Sequence, residues 1–200
     1  MADPSPHNLV HDSALALVLT EGVFGAPQAD GPGVTIHERG GLTIQHLSGA
    51  VTDAEFPTKA RHAIGLPLPM SVGETRDSGD TRVLWLGPDR WLVVSAAPLD
   101  LTALTAVAAV NDVGAGRLVL RVSGRRVHDL LAAGCPLDLD PVAFKPGQCA
   151  QTLMARLSVT LDCVEPDAFD LYVSRSHAIY FWEWLTGVAA EFGYRITTTG

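Results

Sequence analysis

Apolar and polar positions alternate along this chain in short runs whose period changes often enough to predict a mixture of strands and helices. Between Leu9 and Leu19 the apolar residues Leu9, Leu15, Val18 and Leu19 fit one short amphipathic helix. Gly22, Gly25, Pro27, Gly31, Pro32 and Gly33 then crowd into the next stretch, which is the composition of a linker. Residues 1–33 therefore read as an N-terminal arm and linker, whose apolar side chains Leu9, Leu15 and Val18 are expected to lie on a partner; the alternative is a frayed terminus.

From Val34 onward the pattern runs twice. Leu42 to Leu47 reads as a strand entering Ser48-Gly49, and Leu118 to Val122 as a strand entering Ser123-Gly124, 75 positions later. Pro88-Asp89 leads into the strand Trp91 to Val94, and Pro166-Asp167 leads into Phe169 to Val173, 78 positions later. Apolar helices are expected after both. The agreement of the two offsets predicts an α+β chain of two pseudo-repeated strand-helix-strand-strand-helix halves, residues 34–110 and 111–200, packed as one body. In the second half Ser123 is a candidate N-cap for a helix carrying Val127, Leu130 and Leu131, and Gly134 a candidate left-handed stop before Pro136. Ala150 to Leu161 reads as one or two strands, and Asp162 to Pro166 as a turn.

The last helix, from about Ser176 to Phe192, has a stripe of Ala178, Trp182, Leu185, Ala189 and Phe192, widened by Ile179, Phe181 and Val188. At 100° per residue, Tyr180 and Trp184 fall on the other side, where a monomer would show charges. Aromatics are enriched at interfaces, so these two are candidate partner contacts; the alternative is a further layer of the chain's own core.

Composition sharpens this picture. Hydrophobic residues make up 47% of the 200 and charged ones 18%, an apolar balance that fits either a well-filled core or a surface covered by another protein. Asp and Glu outnumber Lys and Arg by 22 to 14, giving a net charge of -8, and no basic cluster interrupts it. Nucleic acid and anionic membranes are poor partners for such a chain. Cys135, Cys149 and Cys163 are isolated from one another and odd in number, which points to a reducing, cytoplasmic setting. The apolar run Ala14 to Leu19 is far too short for a membrane span, so neither a signal peptide nor an anchor is expected.

Candidate chemistry is sparse. Gly114 and Gly116 form a Gly-x-Gly, but they read as following a helix and preceding a strand, the reverse of a pyrophosphate-binding turn. No phosphate-binding Gly-x-x-x-x-Gly-Lys loop or Gly-x-Ser-x-Gly nucleophile elbow occurs. His7 and His11 have helical spacing without the Glu of a His-Glu-x-x-His zinc site, and His37, His46, His62, His128 and His177 are scattered. The equal 14-residue spacing of the cysteines lacks the close pairs of a metal site. Asp138 and Asp140 beside Pro141 read as turn chemistry. No catalytic, cofactor-binding or metal-binding residue is expected in this chain.

The block Asp129-Leu-Leu-Ala-Ala-Gly-Cys-Pro-Leu-Asp-Leu-Asp-Pro141, followed by Gly147-Gln-Cys-Ala-Gln-Thr-Leu153, resembles the gamma subunit of heterotetrameric sarcosine oxidase. Phe169-Asp-Leu-Tyr-Val-Ser-Arg-Ser176 and Trp182-Glu-Trp-Leu185 resemble that family's closing strand and helix, and Trp85-Leu-Gly-Pro-Asp-Arg-Trp-Leu92 resembles their counterpart in the first half. The similarity covers roughly residues 83–192, extends loosely over 34–82 and does not reach 1–33. It implies a four-subunit enzyme of sarcosine catabolism and one-carbon metabolism. That complex oxidises sarcosine to glycine and makes hydrogen peroxide, releasing the one-carbon unit as formaldehyde or passing it to tetrahydrofolate. FAD, FMN, NAD and tetrahydrofolate are then expected in the alpha and beta subunits and zinc in the delta subunit, with no catalytic residue in gamma. The resemblance further implies a fold like the folate-binding domain of aminomethyltransferases. Two alternatives stand beside it: a subunit of a related N-methyl amino acid dehydrogenase, such as one acting on N-methylglutamate, and a stand-alone folate-binding protein of aminomethyltransferase type.

Overall fold

A computed structural model describes residues 13–53 and 55–198. Leu9, His7 and His11 lie outside the described residues. In chain order the elements are strands β1 (Gly22–Phe24), β2 (Val34–Glu38) and β3 (Thr43–Ser48), helix α1 (Phe56–Ile64), then strands β4 (Thr75–Asp77), β5 (Thr81–Gly87), β6 (Arg90–Ser95), β7 (Ala109–Asp112) and β8 (Arg117–Ser123). Helix α2 (Val127–Ala132), strands β9 (Gln148–Met154), β10 (Leu157–Glu165) and β11 (Ala168–Ser174), helix α3 (Ala178–Phe192) and strand β12 (Tyr194–Thr197) complete the order. They build a seven-stranded sheet, β1-β12-β2-β8-β11-β10-β9, and a five-stranded sheet, β4-β5-β6-β3-β7.

The strand orders expose the internal repeat: β4-β5-β6-β3 in one sheet corresponds to β9-β10-β11-β8 in the other. In the next position, however, the two halves exchange their leading strands. β2 precedes β3 in the chain yet pairs antiparallel with β8, while β7 precedes β8 yet pairs antiparallel with β3.

Period-two alternation sorts the side chains into layers. On β6, Trp91 and Val93 face Phe56, Ala60 and Ile64 of α1, whereas Leu92 and Val94 face the other sheet. On β8, Leu118, Leu120 and Val122 join α2 and α3 in the largest core cluster, whereas Val119 points between the sheets. The result is helix, sheet, sheet, helix, with Ile44, Leu84, Leu92, Val94, Val119, Cys149 and Tyr172 forming the inter-sheet apolar layer.

Several local expectations are corrected. Over its described part the Leu9–Leu19 segment is a single turn, closed by the Val18 and Leu19 amides on the Leu15 carbonyl. The expected linker contains β1, an edge strand on β12. In the first half the expected closing helix is reduced to a 3-10 turn, Thr102–Leu104. Ser123 ends β8 instead of capping α2, whose N-cap position is Arg126 with no side-chain cap. Gly134 does not adopt a left-handed conformation; it is needed because a Cβ there would lie 2.3 Å from the Trp184 indole. Asp162 lies within β10, not in a turn. The stretch 150–161 forms a hairpin that turns at Ala155 and Arg156, with φ of 50° and 67°, as a tight two-residue hairpin requires. Gly114 and Gly116 form a 3-10 turn after a strand, β7, and not after a helix.

Candidate functional site

At one end of the inter-sheet layer the inward positions are charged. Asp162 and Asp170 are cross-strand neighbours on β10 and β11, and both are fully buried. Burying a carboxylate costs several kcal/mol unless a cation and hydrogen bonds compensate. Arg82 reaches Asp162 from the opposite sheet with a two-pronged contact, Nε to Oδ2 at 2.7 Å and Nη2 to Oδ1 at 3.0 Å, and its Nη1 donates to Asp77 Oδ2 at 2.5 Å. Thr75 Oγ1 donates to Asp162 Oδ1 at 3.3 Å. Arg121 forks onto Asp170 at 2.8 and 2.9 Å, and Arg39 Nη1 donates to the same carboxylate at 2.6 Å.

Burial pushes the Asp162 carboxyl up, against the opposing hydrogen bonds and charge of Arg82. Burial by itself would lower the Arg82 guanidinium, but the hydrogen bonds and charge of Asp162 raise it above its ordinary value. An arginine does not release its proton in a protein, so this pair is held as an ion pair. The Tyr172 hydroxyl is buried beside these charges and has no hydrogen-bond partner among the described residues; burial first, then Asp162 and Asp170, drive its ionisation well above the usual range. It stays neutral. The network fastens one sheet to the other, with both carboxylates of Asp162 and Asp170 fully enclosed.

The other residues that chemistry would recruit are engaged in structure. Both ring nitrogens of His128 face carbonyl oxygens, Nδ1 that of Leu139 at 2.8 Å and Nε2 that of Pro166 at 3.0 Å. Cys149 and Cys163 are buried thiols pushed up to about 11, with burial as the main cause, far from the thiolate range of a nucleophile. Asp138 and Asp140 accept backbone N–H bonds from Asp140 and Val142, which is turn chemistry. Among the described residues no three His, Cys, Asp or Glu side chains gather as a metal site, and no helix is long and apolar enough to cross a membrane.

Of the candidate partner contacts, Tyr180 is 52% exposed and Val18 38% exposed. Leu15 is corrected: it is fully buried in the core beside α2 and α3, so it has no surface to offer another protein. Trp184 is half-buried against that core, tilted on Phe181 at 5.5 Å, with its indole filling the space over Gly134. Ile179, expected within the buried stripe, is instead 41% exposed and lies beside Tyr180 on α3. Sequence reasoning misses the two buried aspartates. Their signal is a lone acid inside an otherwise apolar run, Leu161-Asp-Cys and Phe169-Asp-Leu.

Comparison with known proteins agrees along most of the chain. The family described as "Sarcosine oxidase, gamma subunit family" matches residues 48–191. Sarcosine oxidase subunit gamma of Corynebacterium sp. (strain P-1) is 32% identical over 137 residues, 65% of this chain and 68% of that protein. The Arthrobacter sp subunit is 36% identical over 106 residues, 50% of this chain and 52% of that protein. A chain of the heterotetrameric sarcosine oxidase from Corynebacterium sp. U-96, solved in complex with pyrrole 2-carboxylate, superposes with a TM-score of 0.78 at 26% identity, covering 90% of this chain and 95% of that one. The glycine cleavage system aminomethyltransferase T from Bartonella henselae superposes with a TM-score of 0.56 at 15% identity, over 84% of this chain and 48% of that one, and shares the fold alone. With the family match spanning most of the chain and the duplicated two-sheet fold reproduced in a solved relative, this protein belongs to the sarcosine oxidase gamma subunit family.

Proposed function

We propose that this chain acts as a structural subunit of a heterotetrameric sarcosine oxidase, built into the complex through its surface and contributing no reacting group. The supporting observation is the likeness, over nearly the full length of both chains, to a chain of an assembled heterotetrameric oxidase. Its buried charges, thiols and His128 are all occupied in holding this fold together, which suits a scaffold.

In this reading the partners are the alpha, beta and delta subunits. They carry FAD, FMN, NAD, tetrahydrofolate and zinc, and the complex converts sarcosine to glycine in the cytoplasm, with hydrogen peroxide and formaldehyde or 5,10-methylenetetrahydrofolate as products. Tyr180 and Val18 remain the proposed contacts. The test is to purify the tagged chain from its own organism. Larger partners, flavin absorbance and sarcosine-dependent peroxide are the expected result. A colourless chain recovered alone, with no such activity in the material, would refute the reading.

A further inference from the structure

The inter-sheet layer is polarised along the strands. One end holds the balanced network of Arg39, Arg82 and Arg121 with Asp77, Asp162 and Asp170. The middle is apolar. At the other end the inward positions are polar or basic apart from Leu153, and the gap opens to solvent.

Strand register identifies these positions. On the seven-stranded sheet, Arg117 pairs with Ser174, two positions from the inward pair Val119 and Tyr172, and so projects on the same face. Gln151 and Leu153 follow the inward Cys149 on β9, and Thr160 and Ser158 are the inward positions of β10 beyond the Asp162 level. On the five-stranded sheet, His46 shares the inward parity of Ile44, and Arg90 that of Leu92 and Val94. None of these inward positions is acidic.

Two surface clefts meet at Arg117. One, of about 790 Å³, runs between the 39–44 loop, the Gly114–Gly116 turn and the start of β8; the other, of about 430 Å³, covers Gln151, Leu153, Ser158 and Thr160. The larger volume falls in the range of small-molecule sites. Arg117 is half-buried, and among the described residues neither its side chain nor those of Arg90 and His46 have a hydrogen-bond or ion-pair partner. The larger cleft is also lined by Glu38 and Asp112, which accept hydrogen bonds from the Ser13 hydroxyl and the Gly114 amide, whereas the smaller cleft at Arg117 has no acidic lining residue. In a chain of net charge -8, two uncommitted guanidiniums stand out, Arg117 lining both clefts and Arg90 on the inward parity of the facing sheet. A guanidinium matches a carboxylate with two parallel N–H···O bonds. The hydroxyls of Ser158 and Thr160 and the 58% exposed Leu153 supply further polar and apolar contacts.

We infer that this open end of the inter-sheet gap is an anion-binding cleft for a carboxylate, with Arg117 as the principal ligand, Arg90 as a flanking cation and the neutral His46 imidazole as a further hydrogen-bonding neighbour. The carboxylate comes either from a free organic acid or from an acidic side chain of a partner subunit.

The experiment is a thermal-unfolding titration of the full chain with sodium malonate at constant ionic strength, repeated on the assembled complex. Expected is a saturable rise in Tm for the full chain, with the apparent affinity falling at least about ten-fold in Arg117→Gln. Arg117→Lys should retain part of it, and Arg61→Gln, the same charge change on exposed α1, should behave as the parent. A saturable effect in both chain and complex identifies a free acid as the occupant. An effect in the chain that disappears in the complex identifies a partner carboxylate. Absence of a saturable shift in the full chain, or equal responses of Arg117→Gln and Arg61→Gln, would overturn the inference.

Discussion

At the scale of single residues, the buried aspartates carry the largest stakes. Asp162 is enclosed completely, and its principal partner Arg82 stays charged whatever happens to the carboxylate. Asp162→Ala would leave that guanidinium buried without its main counter-charge, since Asp77 is half exposed. A loss of about 3–5 kcal/mol in unfolding free energy is expected from chemical denaturation; a loss below about 1 kcal/mol would show that solvent reaches the pair. His46 gives a pH signature of opposite character. Burial first, then Arg117 and Arg90, hold its imidazole below the ordinary 6.5. The unfolded chain therefore takes up this proton before the folded one, and stability declines as pH falls from about 6.5 toward the lower folded value. His46→Gln should flatten that part of a stability-versus-pH curve; an unchanged slope would place the imidazole in ordinary solvent. Residue-scale features are the least legible in the sequence. Asp162 reads as turn chemistry because a charge followed by Pro166 looks like a loop, and only the position of Arg82, 80 residues away, accounts for an acid in a strand. Gly134 reads as a helix stop, whereas what it avoids is the indole of a residue 50 positions later.

At the scale of elements, α3 is legible almost to its ends, because a four-three apolar spacing sustained over fifteen residues is the imprint of one buried helix face. Its two faces divide differently from the sequence reading. Trp184 turns into the groove beside α2, so Trp184→Glu should destabilise the chain itself, by about 3 kcal/mol or more in denaturant unfolding. Tyr180 projects outward, and Tyr180→Glu should leave the unfolding midpoint within about 0.5 kcal/mol of the parent while reducing recovery of partner subunits in a pull-down. Full recovery with Tyr180→Glu would remove this face from the interface. β1 escapes the sequence reading because three residues that begin with Gly22 and run into Gly25 carry no alternation to detect, and its stabilisation comes from pairing with a strand 170 residues further on. The closing helix of the first half is over-read: Leu101 and Leu104 are buried as a helix would bury them, yet the backbone completes only one 3-10 turn.

At the scale of the whole molecule, the repeat visible as recurring Ser-Gly and Pro-Asp steps is a pair of similar sheets packed face to face. The α+β class and the family resemblance are both legible, because strand-entering motifs and their spacing survive in the local sequence. The assignment of strands to sheets is not. Apolar alternation tells which face of a strand is buried, but it carries no label for the neighbour across the hydrogen bonds. Nor does the sequence reveal that polar residues at the inward positions divide the inter-sheet gap into a neutralised end and a basic one, since that contrast exists only once the register aligns Arg117 with Ser174 and Asp162 with Asp170.

The exchange of β2 and β7 between the sheets has a consequence for how the chain can be divided. Each half lends its first strand to the other, so a fragment ending near residue 98 would have β3 without the neighbour β7 provides, and the remainder would have β8 without β2. Each would display an unsatisfied strand edge, which favours self-association of the isolated pieces. Mixed, the same edges are complementary. A gene split in the loop after β6 should yield two poorly soluble fragments that reconstitute a native-like heterodimer on co-expression, making the crossover a built-in lock for split-protein complementation. Two fragments that each gave a cooperative unfolding transition alone would show that the exchanged strands are dispensable.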